Sequence, residues 1–265
     1  MAQLLRKTLR ALFNVDPSFC DMYEDADSRL AASEYLEHVR RHLRERFGDR
    51  HLSILDAGCQ AGRLLIPLAQ DGHRLMGIDT SMFALRRARQ HAQEAAVSVE
   101  LHRGNIARLR RWAPPSSLDV VICTEVLYLC EAYHQLLEAL AASVKPGGLL
   151  FISHRATLYY VASAMARGHP EQASAMLRRS EGASPDGAYH NWQTQEQLVE
   201  LYRALPVRLL ACYPVGYVPR QADLSTTTDE MVKQFLAPMH QGDSTFRVPT
   251  YLLAVSQKTD PARRE

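Results

Sequence analysis

Short apolar runs alternate along this chain with stretches whose apolar residues recur at helical spacing. Residues 53–57 form the first run, and 74–78, 97–101, 118–124, 144–154 and 207–213 follow, with a last run at 250–256. Continuous apolar runs of this length suit strands buried on both faces of a parallel sheet. Between them lie amphipathic segments. Residues 26–47 place Tyr35, Leu36, Val39 and Leu43 on one side, with Arg40, Arg41, Arg44 and Arg46 as a solvated face. Ser81 is a good N-cap for a helix whose buried stripe is Met82, Leu85, Ala88 and Ala92. Thr194 and Gln197 form a capping box ahead of Leu198, Leu201, Tyr202 and Leu205. Pro67 sits early in the first helix after residues 53–57 and predicts a kink there. Strands alternating with helices predict an α/β fold with a doubly wound sheet.

The turn after the first run carries the chemistry. Gly58 and Gly62 allow a sharp bend and a close backbone approach to a ligand. The second run ends at Asp79, where a nucleotide-binding α/β unit grips ribose, because two carboxylate oxygens match a vicinal diol. Residues 58–62 read Gly-Cys-Gln-Ala-Gly, so the G-x-G-x-x-G spacing that seats a pyrophosphate is missing.

Asp56-Ala-Gly58-Cys59-Gln60-Ala61-Gly62 resembles the first motif of class I S-adenosylmethionine-dependent methyltransferases, and Gly-Ile-Asp79-Thr80-Ser81 resembles their second. The resemblance implies a Rossmann-like, seven-stranded sheet with an antiparallel last strand and S-adenosyl-L-methionine as cofactor. The first loop would wrap its methionine part, with Asp56, Gly58, Cys59 and Gly62, and Asp79 and Thr80 would take the ribose side. Gln60 stands where many members have another glycine. Asn105 stands where the family has an acid facing the adenine amine; its amide oxygen can still accept, with Ile106 beside it. Thr124, Glu125 and Val126 follow the fourth strand, in the segment that lies under the reacting sulfonium in that family. Lys-Pro146-Gly147-Gly148 matches the turn into its fifth strand, and residues 250–256 its closing strand. The resemblance is specific over about 50–155 and weaker over 192–258.

Two further segments bear on the acceptor. Residues 156–192 are a long connection with helical stretches at 158–165 and 172–178 and a loop at 180–187; at the carboxyl end of the fifth strand it is expected to act as a lid. Residues 214–244, with a helix at about 229–236, form a second candidate wall. Methyl transfer to oxygen profits from a general base, and His suits that role. His154 and His190 are the candidates; Tyr128, Tyr159, Tyr160 and Trp192 are expected to line an aromatic pocket, and Tyr23 to reach it from the N-terminal side. The absence of an Asp/Asn-Pro-Pro-Tyr run argues against amino-group methylation of DNA bases or glutamine.

Charge and composition narrow the partners. The 265 residues carry 31 basic and 29 acidic side chains, and only four of the basic ones are lysine. That balance argues against a nucleic-acid partner, and Arg86-Arg87-Ala-Arg89 and Arg108-Leu-Arg110-Arg111 read as solvated faces. Five cysteines without metal-ligand spacing argue for a reducing compartment and against structural zinc. No apolar run is long enough to span a bilayer, and no secretory signal is visible, so a cytoplasmic location is expected. Residues 2–13 read as a small basic amphipathic helix, with Leu5, Leu9, Leu12 and Phe13 on one face, suited to packing on the domain or to weak membrane-surface contact. The expected organisation is an N-terminal helical cap over 1–48 and a methyltransferase domain over 49–265, as monomer or homodimer. The expected activity is O- or C-methylation of a small-molecule metabolite or natural product. An RNA or protein methyltransferase and a non-catalytic S-adenosylmethionine-binding module are the alternatives.

Overall fold

A computed structural model describes residues 21–183, 188–221, 224–237 and 245–260. The amphipathic segment 2–13, Cys20 and residues 184–187 of the 180–187 loop lie outside the described residues. The chain divides into two compact units at 111/112, inside the stretch expected to be one domain over 49–265.

The first unit opens with α1 (Ala26–Phe47), capped by the Asp25 carboxylate on the Ser28 amide. β1 (Ser53–Ala57), β2 (Arg74–Asp79) and β3 (Glu100–Arg103) pair in parallel, with Asp56 opposite Gly77 and Asp79 opposite Arg103. Between them lie α2 (Leu65–Gln70) and α3 (Met82–Glu94). α2 begins only at Leu65, so Pro67 falls in its first turn, where no intrahelical partner is lost, and the expected kink does not arise. Ser81 caps α3 through the Ala84 amide; Leu85, Ala88 and Ala92 are buried as expected, whereas Met82 is exposed. β3 starts three residues later than the apolar run because the Val97 amide closes α3 on the Ala92 carbonyl.

The second unit holds β4 (Leu118–Cys123), α4 (Tyr133–Ser143) and β5 (Val144–Arg155). β4 and β5 pair in parallel, and a Cβ on Gly148 would meet the Asp119 carbonyl at 2.6 Å, so the entry into β5 demands glycine. α5 (Thr157–Ala166) and α6 (Pro170–Leu177) match the two helical stretches of the insertion. A hairpin of β6 (Glu181–Ala183) and β7 (Tyr189–Asn191) follows, which the sequence pattern does not announce. α7 (Gln195–Arg203) carries the complete Thr194–Gln197 capping box. The last strands, β8 (Val207–Gln221) and β9 (Thr245–Lys258), run well past the expected limits, with α8 (Glu230–Leu236) between them. β8 ends the strand order, and an edge strand tolerates the donors missing at Pro214 and Pro219. The order is β3-β2-β1-β4-β5-β9-β8, with β9 antiparallel to both neighbours. Among the described residues no helix is long and apolar enough to cross a membrane.

Candidate active site

In the first unit the Gly58–Gly62 loop is tied to the end of β2. The Gly58 and Cys59 amides donate to the Ile78 carbonyl at 2.7 and 3.2 Å. The Gln60 amide donates to Asp79 Oδ2 at 3.0 Å, and the Ser81 amide to Asp79 Oδ1 at 2.8 Å. Asp79 therefore organises the loop as well as ending the strand. Gly58, Gln60 and Gly62 all have positive φ, at 85°, 45° and 92°. Gln60 tolerates this region because its own Oε1 accepts from the Ala61 amide at 2.9 Å, a local bond of the kind that lets short amides adopt it. The same oxygen accepts from Met22 at 3.2 Å, so the side chain latches the segment before α1 rather than crowding the loop. A Cβ at Gly62 would approach Ile66 Cδ1 to 2.9 Å.

Asp56 is buried beneath this loop. Burial, reinforced by Asp79 and opposed by Arg63, pushes its carboxyl up to about 7. Burial raises the Cys59 thiol well above its usual range, which makes it a packing group. Thr80 is exposed, and its carbonyl accepts from Arg103 Nε at 3.4 Å. Asn105 is exposed beside buried Ile106, and its amide oxygen caps the Ala107 amide at 2.8 Å. That oxygen keeps a second lone pair for an adenine amine.

Tyr23 lies in the first unit, its ring stacked on His91 at 4.2 Å. His91 Nε2 and Arg87 Nε both meet Asp21 Oδ2, at 3.0 and 2.7 Å, and Arg87 also reaches Glu24. Burial raises the Asp21 carboxyl, but these hydrogen bonds outweigh it and hold it low. Arg87 is thus an anchor, not part of a solvated face. Asp21, Glu24 and His91 are the one group among the described residues spaced to share a cation, and Arg87 already neutralises the carboxylates.

In the second unit, β4 ends at Cys123, with buried Thr124 next. Glu125 is held at φ 61° by its amide bond to Ser153 Oγ at 2.6 Å, and Val126 opens a short 3₁₀ turn through Tyr128. Successive residues of β5 point to opposite faces. Ser153 meets Glu125, whereas His154 points to α7, its Nε2 hydrogen-bonded to Tyr202 at 3.0 Å. His154 is 1% exposed, and burial, only partly countered by Gln193, pushes its pKa down to about 3. It is a neutral core residue turned towards α7, not the base the sequence suggested.

His190 stands differently. It is half-buried on β7, with its Nδ1 hydrogen-bonded to the Tyr160 hydroxyl and its ring 5.2 Å edge-on to Tyr128. Asn191 fixes the hairpin by donating to the Leu127 and Cys130 carbonyls at 2.9 and 3.4 Å. Trp192 is a core residue whose indole donates to the Met176 and Arg179 carbonyls; its ring packs edge-on against Tyr160 at 5.1 Å and lines a groove with Gln172 and Gly182. Tyr128, Tyr159 and Tyr160 do come together, around a residue the sequence pattern passes over. Arg155 places its guanidinium carbon 4.3, 4.7 and 5.9 Å from their ring centres and 4.2 Å from that of Tyr251.

The strand order, the antiparallel β9 and the glycine loop bonded to the acid of β2 define the class I S-adenosylmethionine-dependent methyltransferase fold. Residues 54–148 match the family model of a methyltransferase domain. A ubiquinone biosynthesis O-methyltransferase from Hahella chejuensis is 36% identical over 148 residues, covering 53% of this chain and 62% of the relative. Another, from Azoarcus sp. strain BH72, is 33% identical over 148 residues, covering 53% and 63%. The chain thus spans less than two thirds of the length of these curated relatives. Among solved structures, magnesium protoporphyrin IX methyltransferase from Synechocystis PCC 6803 with bound SAH superimposes with a TM-score of 0.61 at 16% identity, covering 97% of this chain and 99% of that one. Burkholderia thailandensis 1,6-didemethyltoxoflavin-N1-methyltransferase gives a TM-score of 0.57 at 17% identity, covering 98% and 89%. These two likenesses are likenesses of fold.

Proposed function

We propose that this protein is a methyltransferase that uses S-adenosyl-L-methionine to methylate oxygen or carbon on a small-molecule acceptor. The observation that carries the reading is the Gly58–Gly62 loop, with positive φ at Gly58, Gln60 and Gly62 and bonds to Ile78 and Asp79 at the end of β2. Such a loop gives backbone amides close access to a ligand. In the first unit, Asp79 binds the ribose hydroxyls, Asn105 and Ile106 take the adenine, and Asp56, Gly58, Cys59 and Gly62 shape the loop, with Thr80 beside the ribose acid. In the second unit, Thr124, Glu125 and Val126 take the sulfonium side, a role drawn from the family resemblance.

When bound, S-adenosylmethionine supplies a methyl group already activated on a sulfonium. The chain's own residues then align the acceptor and exclude water. His190 is the base. It acts through Nε2 if Nδ1 carries the ring proton and donates it to the Tyr160 hydroxyl, a contact that also fixes the ring. The acceptor lies against Tyr128, Tyr159 and Tyr160, and the cytoplasm is the proposed location. Calorimetric titration with S-adenosylmethionine, S-adenosylhomocysteine and NAD tests the reading. Micromolar binding of the first two and none of NAD is expected; no binding of either overturns it.

A further inference from the structure

Arg155, the last residue of β5, is 8% exposed, and its Nε is sealed from solvent without an acceptor. Among the described residues no carboxylate pairs with it. Its surroundings are four tyrosine rings: Tyr128 from the turn after β4, Tyr159 and Tyr160 from α5, and Tyr251, its cross-strand partner on β9. Ring faces attract a cation, which explains how the guanidinium is tolerated. They offer no acceptor along the planar fork of N–H groups, and a buried charge without a counter-ion is costly. The fold meets that cost at the carboxyl end of a central strand, where α/β sheets bind ligands. Tyr160 belongs to this cage and also holds His190.

We propose that Arg155 is a specificity residue that binds a carboxylate on the acceptor, so that the substrate class is an aromatic acid. The carboxylate completes the guanidinium fork in a two-bond pair, and the ring of the acid lies against the tyrosines. This rests on the methyltransferase reading for its purpose, but the anion site can be measured without the cofactor. A lysine in this position would offer a point charge, not a fork matched to two oxygens.

The test uses 4-hydroxybenzoate and its uncharged analogue 4-hydroxybenzamide as probes, titrated into the full chain with and without S-adenosylhomocysteine. The acid should bind wild type at least roughly tenfold more tightly than the amide, as expected for a charge-assisted pair. Arg155→Met should erase that preference while leaving S-adenosylhomocysteine affinity unchanged, and Arg155→Lys should retain only part of it. If Arg155→Met does not fold, Arg155→Lys alone carries the comparison. Equal binding of acid and amide, no binding of either, or a preference that survives in the variants overturns the proposal. A preserved acid preference with no S-adenosylhomocysteine binding would remove the methyltransferase reading and leave the anion site. The reverse result would remove the anion site alone.

Discussion

Asp79 accepts one backbone bond from the loop it is proposed to serve and one from Ser81 in its own turn, so its replacement has two effects. Asp79→Asn keeps an acceptor for one amide but loses the charge-assisted grip on a diol, and S-adenosylhomocysteine affinity should fall by about 10²-fold in calorimetry. Gly62→Ala must fit a methyl 2.9 Å from Ile66 at φ 92°, and should lower stability by about 1–3 kcal/mol in urea denaturation. Gln60 shows where a single residue outran the sequence pattern. In place of a glycine it looks like an obstruction to the ligand. The structure turns its side chain onto Ala61 and Met22, which no pattern of apolar spacing could reveal. The choice between His154 and His190 depends on strand phase: a residue one step along β5 faces the other side of the sheet, and His154 took the core side.

At the scale of elements, the legible parts were those built from long periodic signals. α1, α3, α5 and α7 fall where their apolar stripes and caps put them. The β6–β7 hairpin was not legible, because three residues per strand are too few to set a period, and so the setting of His190 was hidden as well. The same holds for the cage. Tyr251 lies about a hundred residues from Arg155 in sequence, and only the β5–β9 register joins them. The hairpin's attachment rests on Asn191, which is fully buried and bonded to two carbonyls. Asn191→Ala should cost about 1–3 kcal/mol of stability, because both carbonyls lose this buried donor and the Leu127 carbonyl keeps only the Cys130 amide. If the hairpin holds the base in place, the same variant should lose kcat, while S-adenosylhomocysteine affinity stays near wild type. His190→Ala should lower kcat by about 10²-fold, and His154→Gln should leave it near wild type.

Over the whole molecule, two buried groups set opposing dependences on pH. Asp56 holds its proton to about 7 when folded, against 3.8 otherwise. Its contribution to stability is present below that lower value and is lost as pH rises through 7. His154 titrates at about 3 folded and 6.5 otherwise, so its contribution is present above 6.5 and is lost as pH falls towards 3. Between about pH 4 and 6.5 the two slopes, each near 1.4 kcal/mol per pH unit, cancel. Asp56→Asn should therefore make stability climb with pH over that window, and His154→Gln should make it decline; denaturant midpoints across the window check both. The bond from the Met22 amide to the Gln60 side chain has a kinetic consequence. That amide is shielded only while the glycine loop keeps its shape, so its exchange with deuterium reports loop opening from a position outside the loop. Ligands that close the loop should slow this exchange, and Gln60→Ala should disconnect the reporter while the loop itself still closes.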